Sequence, residues 1–338
     1  MKKFRYEKDK IYKNVDSIHV LHVSPTPLVD SPRKISKTLE KYSRYKSNCF
    51  IFKDYPGKLQ GVFSSNVLIY NKSKDLIVNL ISNADIIHIH NFLTKEQEHI
   101  IFSNSKSTVC FIYQSHSPLK EGPVFTEYAE GGKLKFDAKC VIAQYHPRLY
   151  PDYKIVPNII LHTPSINLIK DDEIPKVLFS PAHTRTGGRW NDKTIKELDI
   201  ILSQLQSLGL IEVIVASNVT PHELYEIRKQ CHISIDEIVT GSYHQVSLEA
   251  LCAGNVTINN SDIFSDLMLK SIIKKDVKIP FYKMNKYNIY EKLYCLINDK
   301  KLIRDKQQDS YDFYNKYFSP KQLIQHYIKL YEEVINDI

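Results

Sequence analysis

A lone carboxylate, Glu249, lies in a run that begins at a glycine turn, Thr240-Gly241-Ser242, and closes on a small-residue stop, Ala253-Gly254-Asn255. That spacing suits a phosphorylated ligand. A helix opening near Tyr243 offers the unpaired N–H groups of His244, Gln245 and Val246 at its positive end, where anions such as a diphosphate bind. Glu249, farther along the helix, can return to the same mouth and accept hydrogen bonds from ribose hydroxyls. A single acid on an amphipathic helix is equally the pattern of a solvated face, so other stretches must decide between the two.

Four of them carry chemistry. Residues 181–193 place Arg185, Arg189 and Lys193 around the Gly187-Gly188 turn, just after a predicted strand. Guanidinium and ammonium groups there suit a diphosphate that gains charge as a sugar departs, although solvated charges on a loop give the same pattern. A predicted strand over 84–91 carries His88 and His90 on one face by alternation. Histidines at that spacing raise the question of a metal, but no third ligand is evident nearby and no metal is expected. His90 is read as lining a cleft or as a structural histidine. His116 follows the predicted strand 108–113 in the run Gln114-Ser115-His116-Ser117. Finally, a predicted strand over 18–23 empties into a loop before Ser31-Pro32. Serine as N-cap with proline at the first helical position is a start signal, and Ile35, Leu39 and Tyr42 share one helical stripe. An anion or sugar site and an ordinary strand-to-helix connection both fit.

The elements that hold these residues read as an alternation of strands and helices. Strand 237–239, a helix from Tyr243 and strand 256–258 form a βαβ unit. Further strands are expected at 49–52, 67–70, 141–144, 153–155, 176–180, 211–216 and 277–280. Helices are expected at 74–82, from Lys193, at 221–231, at 264–273 and across 285–317. A last amphipathic helix opens at Ser319-Pro320 and carries Leu323, Tyr327, Leu330, Tyr331 and Val334. Residues 118–135 read as a turn-rich loop of the kind that contacts a substrate.

With 338 residues the chain has length for two domains, each with its own core. Hydrophobic residues at 43% and charged at 25% exclude a disordered chain. The net charge of +8 is spread along the sequence, which permits anionic ligands or peripheral contact with an acidic membrane face without demanding nucleic acid. No aromatic-basic RNA motif, zinc-finger spacing or Gly-x-Ser-x-Gly elbow is present. The six cysteines form no C-x-x-C pair, which suggests buried thiols in a reducing compartment. Without the apolar core of a signal peptide or a membrane-length run, a cytoplasmic location is expected.

The octapeptide Ser247-Leu248-Glu249-Ala250-Leu251-Cys252-Ala253-Gly254 resembles the signature of retaining glycosyltransferases of family four. So do an Asp opening the strand that ends at His90 and the crossing sequence Val156-Pro157-Asn158-Ile159-Ile160. Family members often carry an earlier glutamate eight positions before the later one; Gly241 stands there in this chain. The resemblance implies an α/β fold of two Rossmann-like domains facing across a cleft (GT-B). Residues 1–160 plus a returning helix at 318–338 would form the acceptor side, and 161–317 the nucleotide-sugar donor side. It further implies transfer from a nucleotide sugar to a glycan or lipid-linked acceptor with retention, in bacterial surface polysaccharide synthesis, without metal or cofactor. His116 would reach the donor sugar, Glu249 the ribose, and Arg185 or Arg189 with Lys193 the diphosphate. Gly241, Tyr243 and Ser31 would line the same cleft. The rival reading is a catalytically silent relative that binds a sugar or a partner enzyme.

Overall fold

The structure is a computed structural model that describes residues 18–54, 67–117, 124–132, 134–145, 150–179, 195–216 and 219–336. Two fully parallel sheets organise it. The first joins β1 His19–Ser24, β2 Lys46–Ile51, β3 Leu68–Ile69, β4 Ile86–His90, β5 Cys110–Ser115, β6 Ala138–Ile142 and β7 Lys154–Val156, in the order β3-β2-β1-β4-β5-β6-β7. The second joins β8 Lys176–Phe179, β9 Glu212–Val215, β10 Ile233–Ile235, β11 Val256–Asn259 and β12 Phe281–Lys283, in the order β12-β11-β10-β8-β9. Parallel sheets need cover on both faces, which is why their central strands are near-continuous apolar runs. All five residues of β4 and five of the six in β1 are buried.

The covering helices, in chain order, are α1 Ser31–Tyr42, α2 Lys74–Asn83, α3 Lys95–Asn104, α4 Val124–Gly131, α5 Lys196–Ser207, α6 Pro221–Lys229, α7 Gln245–Cys252, α8 Ile263–Ile273, α9 Ile289–Ile297, α10 Lys300–Tyr317 and α11 Pro320–Asn336. The α/β class and the two Rossmann-like sheets are those expected. So is the return of the last helix: α11 packs on α1, and Leu323, Tyr327, Leu330, Tyr331 and Val334 join one core cluster with Val20 and Ile86 of the first sheet and Leu248 and Leu251 of α7. Its tyrosines also supply hydrogen bonds. The Tyr327 hydroxyl donates to the Pro157 carbonyl at 2.9 Å and accepts from Gln114 Nε2 at 3.2 Å.

Several expected elements differ, each for a local reason. Residues 237–239 are not a strand; the ladder runs over β10 instead, because the Glu237 carboxylate accepts the N–H groups of Val239 (2.8 Å) and Thr240 and so turns the chain. Pairing at 277–280 begins only at Phe281, since Pro280 has no N–H to donate. The turn-rich stretch 118–135 contains α4, which closes on Gly131. Ser31 is the first helical residue of α1, with Asp30 as N-cap in the left-handed region at φ 66°. Leu28 and Val29 are left-handed too, at 47° and 53°. Three successive non-glycine residues in that region are a strained connection, held in part by Arg33 on the Asp30 carboxylate.

Replacing Tyr327 by Phe strands the Pro157 carbonyl and the Gln114 amide in the core. Unfolding in urea should show a loss of about 1–3 kcal/mol with the slope unchanged; an unchanged midpoint would mean that α11 is held by apolar packing alone.

Candidate functional site

Each sheet changes direction of strand order once, between β1 and β4 in the first and around β8 and β10 in the second. The carboxyl ends of strands at such a switch point are where open α/β sheets bind ligands. Ser31, His90 and His116 lie at that edge of the first sheet, and the segment 236–249 at that edge of the second.

Two buried carboxylates build the second edge. Asp236 Oδ2 accepts the His244 N–H at 2.8 Å and the Ser247 hydroxyl at 2.6 Å, pinning the start of α7 to the end of β10. The helix mouth therefore offers the N–H groups of Gln245 and Val246, while that of His244 is engaged. Glu237 is fully buried and its carboxyl is pushed above the usual range by desolvation. Gly241 adopts φ +78°, and a Cβ there would stand 3.4 Å from Asp262 Oδ2. A side chain at this position would be strained and set against a carboxylate, which gives a structural reason for glycine where a glutamate is common. Tyr243 points inward: it is 1% exposed and its ring packs on Phe281.

Glu249, 5% exposed, sits among three nitrogen-bearing side chains from separate parts of the chain. Lys34 Nζ of α1 is 3.8 Å away, Arg228 NH2 of α6 3.7 Å, and His162 Nε2 of the connecting segment 4.0 Å. Among the described residues only Gln245 Nε2, one turn earlier, reaches hydrogen-bond distance, at 2.8 Å. The Lys34 ammonium, the His162 Nε2 and two nitrogens of Arg228 are buried without a hydrogen-bond partner among the described residues. Donors arranged round a carboxylate just beyond bonding distance leave room for hydroxyls or phosphate oxygens to bridge them. His162 stacks on Tyr225 with ring centroids 3.8 Å apart, and burial lowers its pKa to about 4 despite the neighbouring Glu249.

At the first edge, His90 Nδ1 lies 2.8 Å from His116 Nε2, and His90 Nε2 lies 2.9 Å from His22 Nδ1. Asn91, left-handed at φ 60°, fixes the turn by accepting the His116 N–H at 2.8 Å. His22 is the third histidine that the spacing of His88 and His90 lacked; the parallel register sets it directly beside His88. Ser31, 6% exposed, begins α1 one turn before Lys34 faces Glu249.

The structure thus brings Glu249 and Gln245 together, and links His90 to His116. Arg185, Arg189 and Lys193 lie outside the described residues. Lys34, Arg228, His162, Asp236 and His22 had no distinguishing mark in the sequence: each is one polar residue in an ordinary element, and only the pairing of distant segments singles it out.

No protein-family model and no curated protein matches the chain. Solved structures do match its fold. An alpha-glucosyltransferase in complex with UDP-glucose and DNA containing an abasic site superposes with a TM-score of 0.65 at 10% identity, over 93% of this chain and 99% of that one. An Anabaena protein, HepE, in complex with UDP gives 0.57 at 11% identity over 94% and 100%. A glycosyltransferase from Rickettsia africae gives 0.55 at 13% over 96% and 100%. The chain accordingly has the GT-B architecture of two Rossmann-like domains.

His162 makes the site acid-sensitive in a defined direction. Unfolded, it takes up a proton near the ordinary histidine value of 6.5; folded, it resists until about 4. Its contribution to stability is complete above about pH 6.5 and is lost as the pH falls toward 4, because the unfolded state binds more protons there. His162→Gln should flatten the melting-temperature profile across that window relative to wild type; parallel profiles would contradict this.

Proposed function

We propose that the chain is a glycosyltransferase that moves a sugar from a nucleotide-sugar donor to a glycan or lipid-linked acceptor, with retention at the anomeric carbon. The observation that carries this reading is the Glu249 cluster: a buried carboxylate with a short hydrogen bond from Gln245 and unbonded cationic donors on Lys34 and Arg228 around it. Glu249 would hold the ribose hydroxyls. The N–H groups of Gln245 and Val246, with Arg185, Arg189 and Lys193, would meet the diphosphate and stabilise it as the sugar leaves. His116, anchored through His90, would orient the donor sugar. No metal is needed at the leaving group in this arrangement, and the nucleotide sugar is substrate rather than cofactor.

The donor side would be residues 161–317 and the acceptor side 1–160, with 318–338 returning to it. Lys34 then has a role in donor binding from the acceptor side, since it reaches Glu249 across the join between the two sheets. UDP is the first nucleotide to try, because two of the fold neighbours carry UDP or UDP-glucose. A role in bacterial surface polysaccharide synthesis, at the inner face of the membrane, fits a basic chain in which, among the described residues, no helix is long and apolar enough to span a bilayer.

The test is release of nucleoside diphosphate from a panel of nucleotide sugars, with lipid-linked, glycan and duplex DNA acceptors supplied in turn. Release that depends on a lipid-linked or glycan acceptor is expected, and Glu249→Gln should lower kcat/KM by about 10–150-fold, the equivalent of losing one or two hydrogen bonds of about 1.5–3 kcal/mol. A chain that binds a diphosphate but turns over no donor would establish the silent-binder reading instead. Transfer to DNA would overturn the acceptor assignment.

A further inference from the structure

Behind the cleft edge, a second cluster touches the proposed donor site only through the His90–His116 contact. His22 of β1 and His88 and His90 of β4 are all fully buried and stand on one sheet face. One ring nitrogen of each lies within 4.8 Å of the others. Their rings are close, with centroids 5.2 Å apart for His22–His88, 5.2 Å for His22–His90 and 4.4 Å for His88–His90. A thiol adjoins one of them: Cys140 Sγ of β6 is 3.7 Å from His88 Nε2, donates to the Tyr113 carbonyl at 3.4 Å, and stands outside the group of three mutually close nitrogens.

We propose that His22, His88, His90 and Cys140 form a structural site for a divalent transition metal of the zinc class, tying β1, β4 and β6 together beneath α11. The distances suit it. Imidazole nitrogens on a tetrahedral ion at about 2.0–2.1 Å stand roughly 3.3–3.4 Å apart, and a thiolate at about 2.3 Å stands roughly 3.6 Å from each of them. The His22 Nδ1–His90 Nε2 separation of 2.9 Å and the 4.8 Å limit of the three-histidine cluster bracket the first value, and Cys140 meets the second toward His88 alone, at 3.7 Å, so that its thiolate would have to turn toward the other two rings to ligate.

The outer nitrogens of His88 and His90 are already held as metal-binding histidines require. With its proton on Nδ1, His88 would donate to the Tyr331 hydroxyl oxygen at 2.9 Å and keep Nε2 free for an ion, and His90 Nδ1 pairs with His116 Nε2 at 2.8 Å. That leaves the inner nitrogens of both rings for an ion. On His22 the nitrogen facing His90 is Nδ1, and Nε2, which has no hydrogen-bond partner among the described residues, is its outer nitrogen. Three imidazoles and a thiol favour zinc, cobalt or nickel over magnesium or calcium, which need oxygen ligands. Cys140 would bind as the thiolate, its proton passing to solvent, and so offset one of the two metal charges. With every histidine at 0% exposure, the ion would enter as the chain folds.

The experiment uses the full chain produced with zinc or cobalt in the medium, dialysed against a chelator, its metal measured by mass spectrometry and its folding by circular dichroism. About one metal per folded chain should survive dialysis, and the cobalt form should show intense tetrahedral visible bands with a thiolate-to-cobalt band in the near ultraviolet. Cys140→Ser should lose only the ultraviolet band, and Tyr331→Phe should weaken binding by about 10–100-fold. His22→Gln should abolish retention, whereas the exposed His99→Gln should leave it intact. A folded wild type that keeps no metal overturns the site. Retention unchanged in His22→Gln does so as well, by assigning the metal to the surface.

Discussion

A carboxylate buried where two sheets meet is the constraint on which this molecule turns. Glu249 cannot be charged in so enclosed a position without compensation, and no single element of the fold supplies it. Lys34 comes from the first Rossmann-like unit, Arg228 from a helix beside the second sheet, and His162 from the segment joining them. Their convergence ties the register of α1, α6 and α7 to one another. It also sets the chemistry, because the four groups stand slightly too far apart to satisfy each other. Buried donors with a gap between them are a binding arrangement as much as a stabilising one.

The remainder of the fold serves that convergence. Parallel pairing puts the carboxyl ends of β1, β4 and β5 along one edge, and those of β8 and β10 along another. Asp236 fixes the start of α7 against β10, so that Glu249 is aimed by a hydrogen-bonded frame rather than by a free helix. The returning helix α11 closes the other side. Its tyrosines bond to His88, Pro157 and Gln114 and seal the core shared by α1 and α7. Strain is greatest in the turn before α1, where Leu28, Val29 and Asp30 in succession adopt a conformation usually given to glycine, while Asn91 and Lys274 do so singly. Function-bearing turns tolerate such strain when the surrounding elements are rigid.

Much of this was legible in the sequence. The apolar runs of the central strands, the small-residue stop after Glu249 and the tyrosine stripe of α11 follow from periodicity alone, since one face of each must be buried. Where side-chain hydrogen bonds override propensity, the sequence misleads: Glu237 turns what reads as a strand, and Tyr243, apparently poised at a helix mouth, is a core residue. Gln245, one turn from Glu249 on the same helix, was legible, but the charged and aromatic partners of Glu249 were not. Lys34 and Arg228 are two among many basic residues, and only long-range packing brings them to one carboxylate. His22 was hidden for the same reason, because strand alternation reveals neighbours within a strand but register between strands is set by the whole sheet.

If Glu249 and its cationic neighbours receive the nucleotide of a sugar donor, the most direct measurement is a crystal structure of the full chain with UDP. Ribose hydroxyls are expected on the Glu249 carboxylate and phosphate oxygens near Gln245 and Val246. UDP seated elsewhere, or a Glu249 cluster unchanged and empty beside saturating nucleotide, would contradict the assignment.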